Sequence, residues 1–317
     1  MTGQKIIVDC DPGIDDALAL VLADGHPGLA LRGITTVAGN VGLDQTTANA
    51  LRVRDFLGRP DVPVVAGSPG PLVRPALHAR RVHGASGLGA ARLPGPASRP
   101  ADGHAVDYLA AAVRAEPGQV TLVATGPLTN IALALRRYPD LVPQAGGLVI
   151  MGGSAGRGNV TPAAEFNIAA DPEAAAVVFG AGWTVTMVGL DVTLQARATA
   201  AVRDRMRGLG RLAADLLLPC LAGYRHASRG AGAPPPDGPS VHDVCAVALV
   251  AAPGLFTCRP ARVEVETAGR WTAGMTVTDF DAPARTRNAR VAVAIDVDGF
   301  WDLVMDAYGR VAARLGP

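Results

Sequence analysis

The chain has 317 residues, enough for one large domain or two small ones, and this length excludes a small protein held together mainly by disulfides. Hydrophobic residues make up 49% and charged residues 18%, a composition typical of folded globular proteins rather than disordered ones. The 29 basic and 28 acidic residues give a net charge of +1, which provides no electrostatic basis for binding nucleic acid or an anionic membrane.

The sequence carries no pattern typical of export or membrane insertion. The N-terminal residues lack a basic start followed by a long apolar stretch. The strongest later apolar run, around Cys245 to Ala252, is far shorter than the ~18 to 20 residues of a membrane span. The four cysteines form no CxxC pair: Cys10, Cys220, Cys245 and Cys258. We therefore expect a cytoplasmic protein with free thiols and no membrane partner.

Short β-rich runs alternate with helical patterns between residues 5 and 188. The predicted strands are Lys5–Asp9, Leu31–Val37, Val62–Ala66, Val120–Thr125, Gly147–Met151 and Thr184–Val188. The predicted helices are Ile14–Ala23, Thr46–Leu57, Ala105–Ala115, Thr129–Arg137 and Pro172–Phe179. This alternation of nearly continuous apolar strands with helices predicts an α/β fold with an open, mostly parallel (mixed) sheet flanked by helices. No interdomain linker is recognisable before about residue 193, so we expect one domain over residues 1–317, completed by a helical and mixed C-terminal portion.

Two segments interrupt this order, at about residues 74–104 and 223–240. The first is crowded with Arg, Gly, Pro and His, and the second contains RGAGAPPPDGPS, a composition that does not pack a core. Loops of this length are often functional, so each segment is either a plain connector or a mobile loop over an active site. We expect mobile active-site loops.

Acidic and amide side chains follow the ends of the predicted strands. Ligands of open α/β sheets bind beyond these carboxyl ends. Four aspartates fall within eight residues around the first strand end: Asp9, Asp11, Asp15 and Asp16. Asp15 or Asp16 alone can be explained by a helix N-terminus, which favours carboxylates, but Asp11 is not explained in this way. A hard divalent cation with oxygen ligands, Ca²⁺ or Mg²⁺, would neutralise the group, and no Cys or His cluster indicates zinc.

The common nucleotide-binding and nucleophile motifs are absent from the sequence. GxGxxG does not follow the first strand, and neither GxxxxGK[ST] nor GxSxG occurs. With acids, amides and a cation but no activated Ser or Cys, the residues favour attack by a water held at a metal ion.

The segment DCDPGIDDA at residues 9–17 resembles the signature of the inosine-uridine-type nucleoside hydrolases. Further blocks agree in order along the chain: VAGN at 37–40, TGPLTN at 125–130, GNVTPAAEFN at 158–167 and VHD at 241–243. The resemblance implies the nucleoside hydrolase fold and hydrolysis of ribonucleosides to ribose and a free purine or pyrimidine base. It also implies one tightly bound Ca²⁺.

The resemblance assigns roles to matching positions. It implies metal coordination by the carboxylates of Asp11, Asp16 and Asp243 and by the main-chain carbonyl of Thr125. Asp11 also fits the general base that takes a proton from the attacking water at the calcium ion. The positions implied to bind the substrate's sugar or line its pocket are Asp15, Asn40, Met151, Asn159, Glu165, Phe166 and Asn167.

Departure of the base requires a proton or hydrogen bond, which a histidine supplies near neutral pH. His242 matches the family's acid for inosine-type substrates, and His83 matches a second histidine of the pocket. Tyr224 and His226 are candidates for contact with the base, although the alignment in their loop is loose. One departure is Val244, where the family commonly has proline after His-Asp; proline is favoured in the first turn of a helix but is not required there.

Two alternatives to ribonucleoside hydrolysis stay open. The first is a hydrolase of the same fold that acts on another N-ribosyl compound, such as a modified or nicotinamide nucleoside. The second is a non-catalytic protein that binds nucleosides or ribose. The resemblance further implies a homodimer or homotetramer and a role in nucleoside catabolism and salvage, while base preference is not readable from the sequence.

Overall fold

The computed structural model describes residues 3–224 and 237–316, which form a nine-stranded sheet with helices on both faces. The strands are β1 Gln4–Cys10, β2 Leu29–Thr36, β3 Val64–Ala66, β4 Val120–Ala124, β5 Gly147–Met151, β6 Val185–Val188, β7 Phe256–Val265, β8 Thr276–Asp279 and β9 Ala289–Ile295. The helices are α1 Ile14–Gly25, α2 Leu43–Phe56, α3 Arg80–His83, α4 Ala105–Ala115, α5 Thr129–Arg137, α6 Leu141–Gln144, α7 Phe166–Ala170, α8 Pro172–Phe179, α9 Leu190–Thr193, α10 Ala200–Met206, α11 Gly210–Leu212, α12 Leu218–Gly223, α13 His242–Ala251 and α14 Val297–Leu315. A π-helical turn, Ala213–Leu217, connects α11 to α12, and two short 3₁₀ turns occupy Pro253–Leu255 and Ala284–Thr286.

The strand order is β3-β2-β1-β4-β5-β6-β9-β7-β8. The first seven strands in this order are parallel, while β7 runs antiparallel to both β9 and β8. The chain winds outward from β1 to β3 and then returns to place β4 on the other side of β1. The carboxyl ends of β1 and β4 therefore flank a topological switch point, where open α/β sheets bind their ligands.

Two hydrophobic cores cover the two faces of the sheet. Successive residues of β1 point to opposite faces, as strand geometry requires. Ile6 and Val8 pack into the core formed with α1, α2, α13 and α14, whereas Ile7 packs into the core formed with α4, α5 and α8. Burial on both faces explains why the central strands are nearly continuous apolar runs.

The predicted α/β fold with a mostly parallel mixed sheet is confirmed. All six predicted strands and all five predicted helices form, and their bounds agree with the structure to within three residues. The sequence analysis did not resolve β7, β8, β9 and α14 within the C-terminal portion. Segment 74–104 contains the short helix α3 and otherwise no helix or strand, in agreement with the predicted loop. Residues 225–236 of the second predicted loop lie outside the described residues.

In the described ranges 3–224 and 237–316, no helix combines the length and the apolar composition needed to cross a bilayer.

Candidate active site

A cavity of about 990 Å³ opens over the carboxyl ends of the central strands. It is lined by most of the side chains that the sequence analysis singled out. Those residues are Asp15, Asn40, His83, Thr125, Met151, Asn159, Glu165, Phe166, Asn167, Tyr224, His242 and Asp243. The expectation that the strand ends would bring acids and amides together is therefore confirmed. His226 lies outside the described residues.

Asp11 lies directly beyond β1 and is fully buried. Its Oδ2 accepts a 2.6 Å hydrogen bond from the backbone N–H of Asn40, but its Oδ1 has no partner among the described residues. Gly39 and Gly126 border the carboxylate on two sides, and a Cβ at Gly126 would lie 2.6 Å from Oδ1. Both glycines are therefore required for the backbone to approach Asp11 so closely.

Asp16 is fixed in the first turn of α1 by three hydrogen bonds. Its Oδ2 accepts from the backbone N–H of Gly13 at 2.9 Å and from Nδ2 of Asn40 at 3.2 Å, and its Oδ1 accepts from the hydroxyl of Thr125 at 2.9 Å. The Gly13 bond also satisfies a free N–H group at the start of the helix. Asp16 thus has both a capping role and a place in the acidic cluster.

Asp15, Asp16 and Asp243 present carboxylate oxygens that all lie within 4.8 Å of one another. Asp243 belongs to the first turn of α13, which packs against α1 and against β4 and β5. The structure therefore brings the acid at position 243 to the aspartates that follow β1, as the resemblance implied. This group of three carboxylates contains Asp15, which the resemblance assigned to the sugar. It does not contain Asp11, which the resemblance assigned to the metal.

Among the described residues, the acidic cluster has no compensating positive charge. No Lys, Arg or His side chain forms an ion pair with Asp11, Asp15, Asp16 or Asp243 within the part of the chain that the structure describes. Burial raises the pKa of all four carboxyl groups, and their mutual repulsion adds to the rise at Asp11, Asp15 and Asp243. For Asp15 the pKa rises to about 7. A buried group of acids with an unpartnered oxygen and no counter-charge fits a hard cation with oxygen ligands.

The carbonyl of Thr125 follows β4 and faces the same region. Nδ2 of Asn167 donates to this carbonyl at 2.8 Å and to the carbonyl of Met151 at 3.0 Å. Asn167 therefore ties the ends of the neighbouring strands β4 and β5 together beneath the cavity. These two hydrogen bonds also hold the side chain of Asn167 in place.

Glu165 is the N-cap of α7 and is almost fully buried. Its Oε2 accepts hydrogen bonds from the backbone N–H groups of Gly153 at 2.9 Å and Ile168 at 3.2 Å. Burial raises the pKa of Glu165 to about 7 despite these bonds. Asn159 accepts a 3.0 Å bond from the backbone N–H of Phe166, so the loop before α7 presents Asn159, Glu165 and Phe166 to one wall.

Two histidines line another part of the cavity. The backbone N–H of Ile14 donates to Nδ1 of His83 at 3.1 Å, so the neutral His83 ring carries its proton on Nε2. Burial lowers the pKa of His83 to about 3, with a further contribution from His242. His83 also makes an edge-to-face contact with Tyr224, with ring centres 5.9 Å apart. Nδ1 of His242 lies 2.7 Å from the hydroxyl of Thr193. Burial lowers the pKa of His242 to about 4, with a smaller contribution from the positive charge of Arg197.

Several residues of the site were not found by sequence reasoning. Three of them follow β6 in the chain. Leu194 and Arg197 line the cavity, and the hydroxyl of Thr193 contacts His242. Beneath the site, Asp9 accepts hydrogen bonds from Thr35 at 2.6 Å and Asn130 at 2.8 Å. The sequence offered one indication that Asn130 belongs near the site, because Asn130 lies in the same TGPLTN block as Thr125.

Comparison with known proteins is consistent with this geometry. Residues 6–302 match the family model of the inosine-uridine preferring nucleoside hydrolases. The chain is 46% identical to an inosine-uridine preferring nucleoside hydrolase of Leishmania major, over 97% of this chain and 98% of that protein. It is 45% identical to the pyrimidine-specific ribonucleoside hydrolase RihA of Salmonella schwarzengrund, over 95% and 97% of the two chains.

A solved structure shows the same fold. The purine-preferring ribonucleoside hydrolase from Gardnerella vaginalis superposes with a TM-score of 0.89 at 35% identity, covering 97% of this chain and 99% of that chain. The family match, the relatives and the fold agree over nearly the full length. The chain therefore belongs to the inosine-uridine preferring nucleoside hydrolase family and is an enzyme that hydrolyses the N-glycosidic bonds of ribonucleosides.

Proposed function

We propose that the enzyme converts ribonucleosides to ribose and a free purine or pyrimidine base by attack of water at C1′, with Asp11 as the general base. The observation that carries this proposal is the unpartnered Oδ1 of Asp11, buried at the switch point of the sheet. A general base needs a lone pair directed at the proton that it accepts. The other oxygen of Asp11 is held by Asn40, which fixes the orientation of the carboxylate.

We propose Ca²⁺ as the cofactor, held by Asp11, Asp16, Asp243 and the carbonyl of Thr125. The all-oxygen donor set and the uncompensated charge of the cluster support this assignment. When bound, the ion would lower the pKa of a coordinated water and thereby ease its deprotonation. Asp15 is close enough to Asp16 and Asp243 to contribute either to the metal site or to a sugar hydroxyl.

The proposed sugar site consists of Asp15, Asn40, Met151, Asn159, Glu165, Phe166 and Asn167. Nδ2 of Asn167 already donates to two backbone carbonyls, and in this proposal its Oδ1 accepts from a sugar hydroxyl. Carboxylate and amide oxygens that accept from ribose hydroxyls hold the ring in place while C1′ acquires oxocarbenium character.

The base lies, in this proposal, beside His242, His83 and Tyr224. His83 presents Nε2–H because its Nδ1 accepts from Ile14, so it acts as a neutral hydrogen-bond donor to the base. His242 is assigned to the base nitrogen that receives the electron pair of the broken bond. The low pKa of His242 favours a hydrogen bond from the uncharged ring over a resting imidazolium.

We also propose a cytoplasmic homodimer or homotetramer that acts in nucleoside catabolism and salvage. Support for the compartment comes from the cysteines, all four of which are free thiols, three of them buried. Support for the assembly comes only from the family resemblance. Loop segment 74–104 is proposed as a mobile part of the site, because residues from it line the cavity, as do Tyr224, Gly238 and Ser240 at the described ends of segment 223–240.

The test is a turnover panel of inosine, adenosine, guanosine, uridine, cytidine and nicotinamide riboside, with released ribose as the signal. Release of ribose from at least one of the purine or pyrimidine nucleosides, lost on chelation and restored by calcium, is the expected result. Ribose binding by calorimetry without any turnover would instead favour a non-catalytic binder. Turnover restricted to a nicotinamide or modified nucleoside would favour the alternative N-ribosyl substrate.

A further inference from the structure

The charged side chains of the cavity are segregated. Its three carboxylates, Asp15, Glu165 and Asp243, belong to the proposed sugar and metal sites. The arginines that line it within residues 3–224 and 237–316 lie instead on the segments that carry the histidines: Arg80 and Arg81 in α3, and Arg197 beside His242. A nucleoside bound with its sugar over the carboxylates therefore has its base among positive charges.

Arg197 is held in place through its backbone. The N–H of Ala198 donates to the carbonyl of Pro239 at 2.8 Å, and the N–H of Val241 donates to the carbonyl of Ala196 at 2.9 Å. These bonds flank an antiparallel pairing of Arg197 with Ser240, two residues before His242. The segment that carries Arg197 is thus hydrogen-bonded to the residues just before α13, the helix that supplies His242 and Asp243. Arg197 is also half-buried, whereas Arg80 and Arg81 are exposed.

The charge of Arg197 has no carboxylate partner among residues 3–224 and 237–316. Among the described residues, the guanidinium makes one hydrogen bond, and this bond is long: Nη1 donates to the carbonyl of Gly238 at 3.4 Å. The stretch 225–236 contains no Asp or Glu in its sequence and so cannot supply the missing partner. Most of the five donors of this half-buried guanidinium have no acceptor in the part of the chain that the structure describes, so they are available to a ligand of the cavity.

In the proposed orientation of the nucleoside, the reaction develops negative charge on the side of the cavity where this guanidinium lies. As the C1′–N bond breaks, its electron pair stays on the base nitrogen, while the water oxygen bonds to C1′ and the water proton passes to Asp11. The base then takes up a proton from solvent, and Asp11 returns its proton to solvent. His83 is restricted to a neutral donor by its bond from Ile14, so it brings no positive charge to the departing base.

We propose that Arg197 is a catalytic residue that stabilises the negative charge on the departing base through its guanidinium. This inference rests on the proposed orientation of the nucleoside, with sugar over the acids and base beside the histidines. It extends the proposed mechanism because it adds a fixed positive charge to the neutral hydrogen bonds that His242 and His83 give to the departing base. A fixed charge in a partly desolvated site is an effective stabiliser of charge that develops in the transition state.

The experiment compares inosine with 7-methylinosine at mildly acidic pH. Inosine loses its base as an anion, whereas the cationic base of 7-methylinosine leaves as a neutral molecule. Arg197→Gln keeps a donor for the Gly238 carbonyl but removes the charge, and Arg197→Lys keeps the charge without the planar fork. Arg205→Ala is the matched control, because Arg205 is paired with Asp302 on the surface and does not line the cavity.

We expect Arg197→Gln to lower kcat/KM for inosine about 10²-fold, the size of effect of removing one such charge stabiliser. For 7-methylinosine the same variant should show an unchanged or higher kcat/KM, because a cationic base is repelled by the guanidinium. Arg197→Lys should recover part of the loss on inosine, and Arg205→Ala should match the wild type on both substrates.

Equal losses on both substrates, or no loss on inosine, would overturn the role of Arg197. Equal losses in the lysine and glutamine variants would overturn it as well, because charge would then not be the property that matters. These results are distinct from a failure of the proposed function, in which the wild-type enzyme itself would release ribose from neither substrate.

Discussion

The backbone N–H of Ile14 donates a 3.1 Å hydrogen bond to Nδ1 of His83, so a histidine from the long loop 74–104 caps the helix that carries Asp15 and Asp16. Only a neutral imidazole can accept this bond, and burial keeps the ring neutral. The contact joins the loop to the acidic cluster. It also determines which ring nitrogen of His83 is left for a ligand.

The first prediction concerns the acid stability that His83 contributes. The folded pKa of His83, about 3, lies below its ordinary value of 6.5, so between these values the unfolded chain binds the extra proton. His83 therefore contributes stability that is fully present above pH 6.5 and is lost as the pH falls towards about 3. Thermal melts across this range should show a smaller fall in Tm for His83→Gln than for the wild type. Parallel pH curves for the two proteins would contradict the assignment.

The second prediction concerns calcium and pH together. Without a cation, the pKa of Asp15 rises from 3.8 to about 7, so its protonated form is favoured in the fold and stability is lost as the pH rises through this range. A cation that binds only the folded state adds about 2.7 kcal/mol at a concentration of 100 times its Kd. The Tm difference between calcium-loaded and chelated enzyme should therefore widen from acidic to neutral pH. Identical melts of metal-stripped and loaded protein, verified by elemental analysis, would exclude an integral cation.

The third prediction tests Asp11 as the general base. Asp11→Asn keeps the shape of the side chain but cannot accept the proton of the attacking water. We expect kcat to fall about 10²- to 10⁴-fold, the usual contribution of general acid–base catalysis, with a modest loss of ribose affinity. Asn40→Ala is a useful comparison, because it removes the amide that bonds Asp16 and the Asp11 carbonyl while leaving the Asp11 carboxylate intact. A near-normal kcat in Asp11→Asn would remove Asp11 from this role.

The fourth prediction tests the contribution of His242 to base departure. His242→Ala should slow inosine about 10²-fold but affect p-nitrophenyl riboside much less, since p-nitrophenolate departs readily without the hydrogen bond that His242 donates to the base. Thr193→Val keeps the imidazole and removes its 2.7 Å partner, so it should show a smaller loss on inosine. Equal losses on both substrates in His242→Ala would indicate that His242 positions the sugar or the metal site instead.

The fifth prediction is that the substrate carries a free 5′-hydroxyl. In the proposed pose this hydroxyl lies beside Asn159 and the buried Glu165, where a phosphate would bring about −1.5 to −2 charges towards a carboxylate. We expect kcat/KM for inosine monophosphate to be at least about 10²-fold below that for inosine, because like charges in contact cost several kcal/mol. Arg157 is exposed and does not line the cavity, so Arg157→Ala should leave this ratio unchanged. Equal use of the two substrates would contradict the prediction.

The sequence alone determined the layers of the fold and the chemical character of the site. Period and composition decide whether a run of residues is a strand or a helix, so β1, β4 and α5 were predicted within one residue of their bounds. The clustering of Asp11, Asp15 and Asp16 was equally readable, because eight residues of chain around one turn cannot separate them widely. The motifs then identified the family.

Only the tertiary structure decided which distant residues complete the site and which atoms remain available. Asp243 and Arg197 lie far along the chain from Asp11, and no local pattern states that α13 packs against α1 or that residue 197 pairs with residue 240. The C-terminal strands escaped prediction for a related reason, since β7 and β8 lie at the edge of the sheet, where partly exposed strands lose the continuous apolar pattern. Likewise, contacts across the fold decide that Oδ1 of Asp11 has no partner among the described residues and that Nδ1 of His83 accepts a hydrogen bond as a neutral ring. Burial and long-range contact set these properties, and neither is a function of local sequence.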